Sequence, residues 1–209
     1  MKRLKAVIAT GNRHKLEEIS AMLADFNIDV RSMKEMGLDG LDIEETGITF
    51  EENALIKAEV VSRKTGLLAL ADDSGLEVDA LEGAPGVYSA RYAGESATDT
   101  DNNAKLLEFL KEVPLEKRQG RFVCALAAVF PDGRQLVVRG TVEGYIDFEE
   151  KGTHGFGYDP LFLIPAYQQT FGELGPMIKN SMSHRGQAIE AMKEKLLELF
   201  RNESGGEEA

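Results

Sequence analysis

The chain carries one cysteine, Cys124, among 209 residues. An internal disulfide is therefore excluded, and its apolar surroundings make Cys124 a small buried hydrophobe rather than a reactive thiol. Histidine is scarce and scattered, at positions 14, 154 and 184, so no zinc-ligand spacing can be composed. Basic charge is also short: 24 Lys and Arg face 36 Asp and Glu, giving a formal net charge of −12. A nucleic-acid grip needs a basic surface to displace counterions from phosphates, so that class is excluded. A small anionic ligand stays compatible where a pocket gathers cations locally or uses a metal. No apolar run approaches a membrane span. The first residues turn polar too soon for a signal peptide, which points to the cytoplasm. Internal repeats and Pro/Gly/Ser linkers are absent, as are the phosphate loop GxxxxGK[ST] and the nucleophile elbow GxSxG.

What is present is enough apolar residue, 43% of the chain, to bury a core in one domain. Residues 4–10 read as a short buried strand followed by a turn. Leu16, Ile19, Met22 and Leu23 then recur at helical spacing. Thr49 and Glu52 form a capping-box pattern for a helix reaching about Lys64. Residues 67–71 read as a strand ending directly on Asp72-Asp73-Ser74-Gly75. Thr98 caps a helix to about Lys111, closed by Pro114. Residues 121–130 and 135–144 flank the turn Pro131-Asp132-Gly133-Arg134 as a hairpin. The apolar run 161–164 and a final helix from about Ser183 complete the order β-α-β-α-β-α-ββ-β-α. The expectation is an α/β fold with a mixed sheet, and an acidic, frayed tail over 202–209.

Five segments carry candidate chemistry. Thr10, Gly11, Asn12, Arg13, His14 and Lys15 stand between a strand and a helix, the usual setting for a phosphate at a helix N-terminus; an ordinary turn with Asn12 as cap is the alternative. Asp72 and Asp73, followed by Ser74, offer the hard oxygens that Mg²⁺ prefers, or else a polar turn. Alternation along a strand aims the two carboxylates to opposite faces, so one faces a metal and the other anchors the turn. Glu44 and Glu45 precede a helix on which Asn53 and Lys57 share a face at i,i+4. Gly155 to Asp159 combines close-approach glycines with the ring faces of Phe156 and Tyr158, on which a base can stack. Lys179, His184 and Arg185 come last. Cations in the first turn of a helix are unfavourable, so either an anion occupies that helix end or the cations pair with acids such as Glu173.

These segments, in this order, resemble the inosine triphosphate pyrophosphatase family, also called Ham1-like. The resemblance runs from Ala9–Glu18 through 46–58, 71–94 and 155–162 to 179–188. It implies hydrolysis of deaminated purine nucleoside triphosphates (ITP, dITP, XTP) to the monophosphate and pyrophosphate. It implies Mg²⁺ as cofactor, a nucleoside triphosphate as partner, and a homodimer. Thr10 to Lys15 would then hold the triphosphate. Asp73 would be general base and metal ligand, Glu44 a second metal carboxylate with Glu45 beside it, and Ser74 a substrate contact. Phe156, Gly157, Tyr158 and Asp159 would hold base and sugar, with Lys179, His184 and Arg185 completing the pocket. The implied fold is an elongated, two-lobed single domain over 1–201, built around a long mixed sheet with flanking helices and an active-site cleft between the lobes. One departure from the family pattern is Glu149-Glu150-Lys151-Gly152, where Pro-Arg-Gly-type turns are common.

Overall fold

The computed structural model describes residues 4–26 and 28–205. β1 (Leu4–Ile8) is short and apolar, and Ala6, Val7 and Ile8 are fully buried. α1 (Arg13–Leu23) follows, then β2 (Ile28–Ser32), α2 (Phe50–Thr65), β3 (Leu68–Val78) and α3 (Asp99–Leu110). β4 (Gln119–Val129) and β5 (Gln135–Ile146) come next, then β6 (Phe162–Ile164), β7 (Gln169–Thr170), α4 (Pro176–Met182) and α5 (His184–Gly205). All seven strands form one sheet in the order β2-β1-β3-β4-β5-β6-β7. β1 pairs parallel with β2 and β3, while β5–β6 and β6–β7 are antiparallel. The sheet is therefore mixed, as its pattern of elements predicts.

Several boundaries differ from the sequence reading, each for a local reason. α1 starts at Arg13, three residues early, because Asn12 Oδ1 accepts from the amides of His14 and Lys15. β3 does not stop at Asp72; it runs on through Asp73, Ser74 and Gly75 to Val78, because both carboxylates find buried cationic partners and no turn is needed to expose them. The box at α2 is displaced by one residue: Thr49 accepts from the Glu52 amide, but Glu52 reaches back to the amide of Ile48 at 2.7 Å. The final helix does start where expected, since Ser183 is extended (φ −67°, ψ 157°) and α5 begins at His184, but a short α4 that was not foreseen precedes it. α5 then continues to Gly205 and absorbs the start of the expected tail. Residues 206–209 of that tail lie outside the described residues.

The chain divides into two compact units, one of Met1–Asp73, Ala125–Gly140 and Arg185–Ala209, the other of Ser74–Cys124 and Thr141–His184. The first has a core of small and aliphatic side chains: Ala6 to Ala9, Ala54, Ala58, Leu68 to Ala71, Ala125 to Ala128 and Ile189 are all buried. The second is packed by rings. Phe122 lies 4.6 Å from Phe162 and 6.0 Å from Phe171, centroid to centroid, beside buried Leu106, Leu110, Leu161 and Leu174. Aromatic pairs in such arrangements add to the stabilisation from burial alone. No helix among the described residues is long and apolar enough to cross a membrane.

Candidate active site

In the first unit the parallel pairing of β1 with β3 ends at Ile8 and Leu70, and Ala9 N still donates to Leu70 O at 2.7 Å. Asp72 and Asp73 stand just beyond, at the carboxyl end of β1, where ligands of open α/β sheets bind. Successive side chains on a strand alternate, and the two aspartates do take different partners. Asp72 is 1% exposed; its Oδ1 lies 2.5 Å from Lys15 Nζ on α1 and its Oδ2 accepts from Arg185 Nε on α5 at 3.0 Å. Asp73 instead accepts from Lys57 Nζ on α2 at 2.7 Å. Asp72 thus anchors two helices rather than a turn.

Lys57 is the centre of the second arrangement. Its Nζ also reaches Glu45 Oε1 at 3.2 Å, so one ammonium bridges two carboxylates. Burial alone would lower the Lys57 pKa, but the facing charges of Asp73 and Glu45 more than offset it and hold it above the ordinary lysine value. Burial pushes the Asp73 carboxyl up, against the pull of Lys57 and Lys15. The two directions are compatible because desolvation of the carboxylate outweighs its ion pair, and a raised carboxyl suits a general base. Asp73 Oδ2 is buried and has no hydrogen-bond partner among the described residues. An unsatisfied buried carboxylate oxygen is costly, and this one is chemically suited to a hard cation. No group of three or more His, Cys, Asp or Glu able to hold a metal exists among the described residues. A divalent cation on so few carboxylates would have to keep most of its waters. Of the two adjacent glutamates, Glu44 is exposed, whereas half-buried Glu45 shares Lys57 with Asp73.

The expected triphosphate loop lines a cavity of about 270 Å³, with Thr10, Gly11, Asn12 and Arg13 on one wall and Ser32 to Lys34 and Leu38 to Leu41 on the other. Gly11, Asn12, Arg13 and His14 are exposed, and Arg13 Nε bonds Glu17 one turn on at 2.7 Å. Asn12 is the helix cap that the alternative reading allowed, so its Oδ1 is already used. Arg185 is 1% exposed, held by Asp72 and by Glu18 Oε2 at 2.5 Å. Pairing with acids thus resolves the misplaced cation at the start of α5, although the acids are Asp72 and Glu18 where Glu173 had been considered.

The second unit holds the remaining candidates. Asp159 Oδ2 accepts from Lys179 Nζ at 2.7 Å and from Phe156 N at 2.8 Å, and all but 2% of Asp159 is buried. Gly155 has φ +77°, and a Cβ there would meet Asp159 Oδ2 at 2.0 Å, so only glycine lets the loop close on this carboxylate. Lys179 Nζ also lies 5.0 Å from the centre of the Phe156 ring, within cation–π reach. Tyr158 is buried and donates to Ser89 O at 2.8 Å. Burial, with the charges of Tyr92 and Asp99, pushes its phenol well above the ordinary tyrosine range. Tyr158 is therefore a core residue here, and the half-buried Phe156 is the ring with a face to offer. His184 is buried and stacks on Phe122 at 4.9 Å. Ser74, half-buried, follows Asp73 on β3. A larger cavity of about 790 Å³, lined by Tyr145, Leu163 and Glu173 among others, contains none of the candidates.

Sequence reasoning gave too little weight to Lys57, Glu45 and Glu18. A signal for Lys57 exists: α2 buries Phe50, Asn53, Ala54, Lys57, Ala58, Val61 and Ser62, a helical stripe in which a lysine is out of place unless it is paired.

The chain matches known proteins along nearly its whole length. The dITP/XTP pyrophosphatase of Exiguobacterium sibiricum is 53% identical over 190 residues, covering 91% of this chain and 96% of that protein. The dITP/XTP pyrophosphatase of Shigella flexneri is 50% identical, covering 95% and 98%. Among solved structures, a HAM1 protein from Coxiella burnetii superposes with a TM-score of 0.85 at 45% identity, covering 93% of this chain and 99% of its own. The Staphylococcus aureus Ham1 protein gives 0.82 at 41% identity, covering 92% and 97%. With residues 6–195 matching the family model as well, the chain belongs to the Ham1 family.

Proposed function

We infer that the chain hydrolyses dITP, ITP and XTP to the nucleoside monophosphate and pyrophosphate, and so removes deaminated purines from the nucleotide pool. Relatives at 45–53% identity over at least nine-tenths of the chain bear the name dITP/XTP pyrophosphatase. Within the molecule, the observation that carries the reading is the buried Asp73–Lys57–Glu45 arrangement with Asp73 Oδ2 left over. A protein that merely bound nucleotides would have no use for a buried carboxylate kept ready in this way.

Asp73 takes a proton from a water, whose oxygen forms a bond to the α-phosphorus. The bond from that phosphorus to the oxygen bridging to the β-phosphate breaks, and pyrophosphate leaves with the electron pair. General-base help of this kind is worth about 10²–10⁴-fold, and positioning supplies much of the remainder. Lys57 keeps Asp73 in place and screens it from Glu45. Lys15 and the loop from Thr10 to His14 receive the phosphate chain, with Ser74 next to the base. Asp73 and Glu45 would hold Mg²⁺, which when bound neutralises phosphate charge and makes a coordinated water more acidic. The loop Phe156 to Asp159 takes base and sugar through the Phe156 face. Lys179 supports the Phe156 loop from a buried position, and Arg185 supports the phosphate side through Asp72. Deaminated purines carry a 6-oxo group where adenine carries an amine, so donors matched to that oxygen reject ATP. We further propose a cytoplasmic homodimer.

The test is pyrophosphate release from ITP, XTP, dITP, ATP, GTP and dUTP, with Mg²⁺ and with EDTA. Metal-dependent release, with ITP and XTP far ahead of ATP and GTP, is expected. Equal turnover of all six sinks the selectivity, and orthophosphate in place of pyrophosphate overturns the site of attack.

A further inference from the structure

We propose that Asp99, at the start of α3, is a positioning residue that sets how the Phe156 face is presented and thereby tunes base selectivity; this rests on the function proposed above. Asp99 Oδ2 accepts from Gly157 N at 2.7 Å, across 58 residues of sequence. Asn103, one turn further along α3, donates from Nδ2 to Gly157 O at 3.2 Å. Residues at i and i+4 share a helix face, so a single stripe of α3 grips the amide and the carbonyl of one glycine. That glycine is left-handed, with φ +61°. The preceding amide, Phe156 N, goes to Asp159 at 2.8 Å. The backbone of Phe156 is thus fixed at both ends by carboxylates from separate parts of the unit, and neither amide is left for a base edge. Selection at this loop then falls to the orientation of the ring.

The support beneath Asp99 is itself rigid. Thr98 Oγ1 accepts from Asp101 N at 3.2 Å while Asp101 Oδ2 accepts from Thr98 N at 2.8 Å, a closed capping box that holds the first turn of α3. Asn103 is 2% exposed and its Oδ1 has no hydrogen-bond partner among the described residues. A buried unsatisfied oxygen is a cost to stability, tolerated here beside the donor that holds Gly157.

The competing role for Asp99 is only to complement the helix dipole, which needs its charge and not its oxygen. Two variants separate these roles. Asp99→Ser keeps a residue suited to a helix start but is too short to reach Gly157; Asp99→Asn keeps an acceptor oxygen of the same reach and loses the charge. With melting temperatures checked first, D99S is expected to raise KM for ITP roughly tenfold, with kcat within about twofold. Its preference for ITP over GTP in kcat/KM should fall by a similar factor, while D99N stays within about threefold of the parent on all three. Amide exchange at Gly157, followed by NMR, should quicken at least about tenfold in D99S and not in D99N. Exchange reads the clamp whether or not ITP is a substrate. An unchanged Gly157 exchange rate in D99S, or D99N as impaired as D99S, overturns the proposal. A parent protein that releases no pyrophosphate from ITP overturns the underlying function instead.

Discussion

Two buried lysine–aspartate pairs of the same length, one in each unit, serve opposite ends. Lys57–Asp73 and Lys179–Asp159 are both 2.7 Å, and all four residues are buried. In the second unit, Asp159 Oδ2 accepts from a backbone amide as well as from lysine, and the pair fastens a glycine loop. In the first, Lys57 is shared with a second carboxylate and Asp73 retains an unsatisfied oxygen. A closed pair fixes conformation; an open one stores reactivity. Burial depth and distance do not distinguish them, but the accounting of each oxygen does.

Mutations can break the comparison. The largest effect is expected for Asp73→Asn, which should lower pyrophosphate release by about 10²–10⁴-fold while ITP binding, read by calorimetry, persists. Removing Lys179 with a methionine should leave Asp159 buried without its cation and cost about 3–5 kcal/mol in denaturant unfolding. Adding Asp159→Asn to that variant should recover most of the loss, since the lone buried charge is gone and an oxygen remains for Phe156 N. The same double replacement at Lys57 and Asp73 should recover stability but not turnover. Equal behaviour of the two doubles would erase the distinction between closed and open pairs.

Smaller effects sharpen the supports around the pairs. Tyr158→Phe removes the bond to Ser89 O and should cost about 1 kcal/mol, with little change in kcat. Thr98→Ala opens the capping box of α3 and should lower Tm by roughly 2–4 °C at neutral pH. The Thr98 hydroxyl, then its backbone amide, hold Asp101 below the ordinary aspartate value. A depressed carboxyl stabilises the fold above its unfolded pKa, and that contribution fades as pH falls through the folded one. The Tm gap between parent and Thr98→Ala should therefore narrow in acid below the usual aspartate range. A gap independent of pH would remove Asp101 from the account.

Much of this was legible in the residues. Capping residues located α2 and α3, and the Pro131–Arg134 turn located the β4–β5 hairpin, because those signals are local. Alternation along a strand foresaw that Asp72 and Asp73 would face apart. The ends of elements failed where a tertiary partner decided them: β3 continues through Asp72 because Lys15 and Arg185, 57 residues before it and 113 after, meet it in the fold. Tyr158 read as a stacking surface because an exposed and a buried tyrosine look alike in sequence; its bond to Ser89 spans 69 residues. That Glu45 meets Lys57 was not legible either, because Lys57 lies twelve residues beyond Glu45 and shows only as a polar intruder on an apolar stripe. β2 (IDVRS) mixes charged residues into its five and β7 has only two, so neither carries an apolar run to announce it.

The roles of Asp72 and Asp73 are set by parity along the strand and not by chemistry, since the side chains are identical. Deleting one residue between Leu67 and Ala71 while β3 keeps its pairing would hand the anchoring position to Asp73 and present Ser74 to Lys57. Adding one would turn Asp72 toward Lys57 and draw Ala71 into the anchor. A frame of this kind tolerates substitution far better than a change in count. Length polymorphism should therefore be rarer in this stretch of the chain than replacement of any one of its apolar residues.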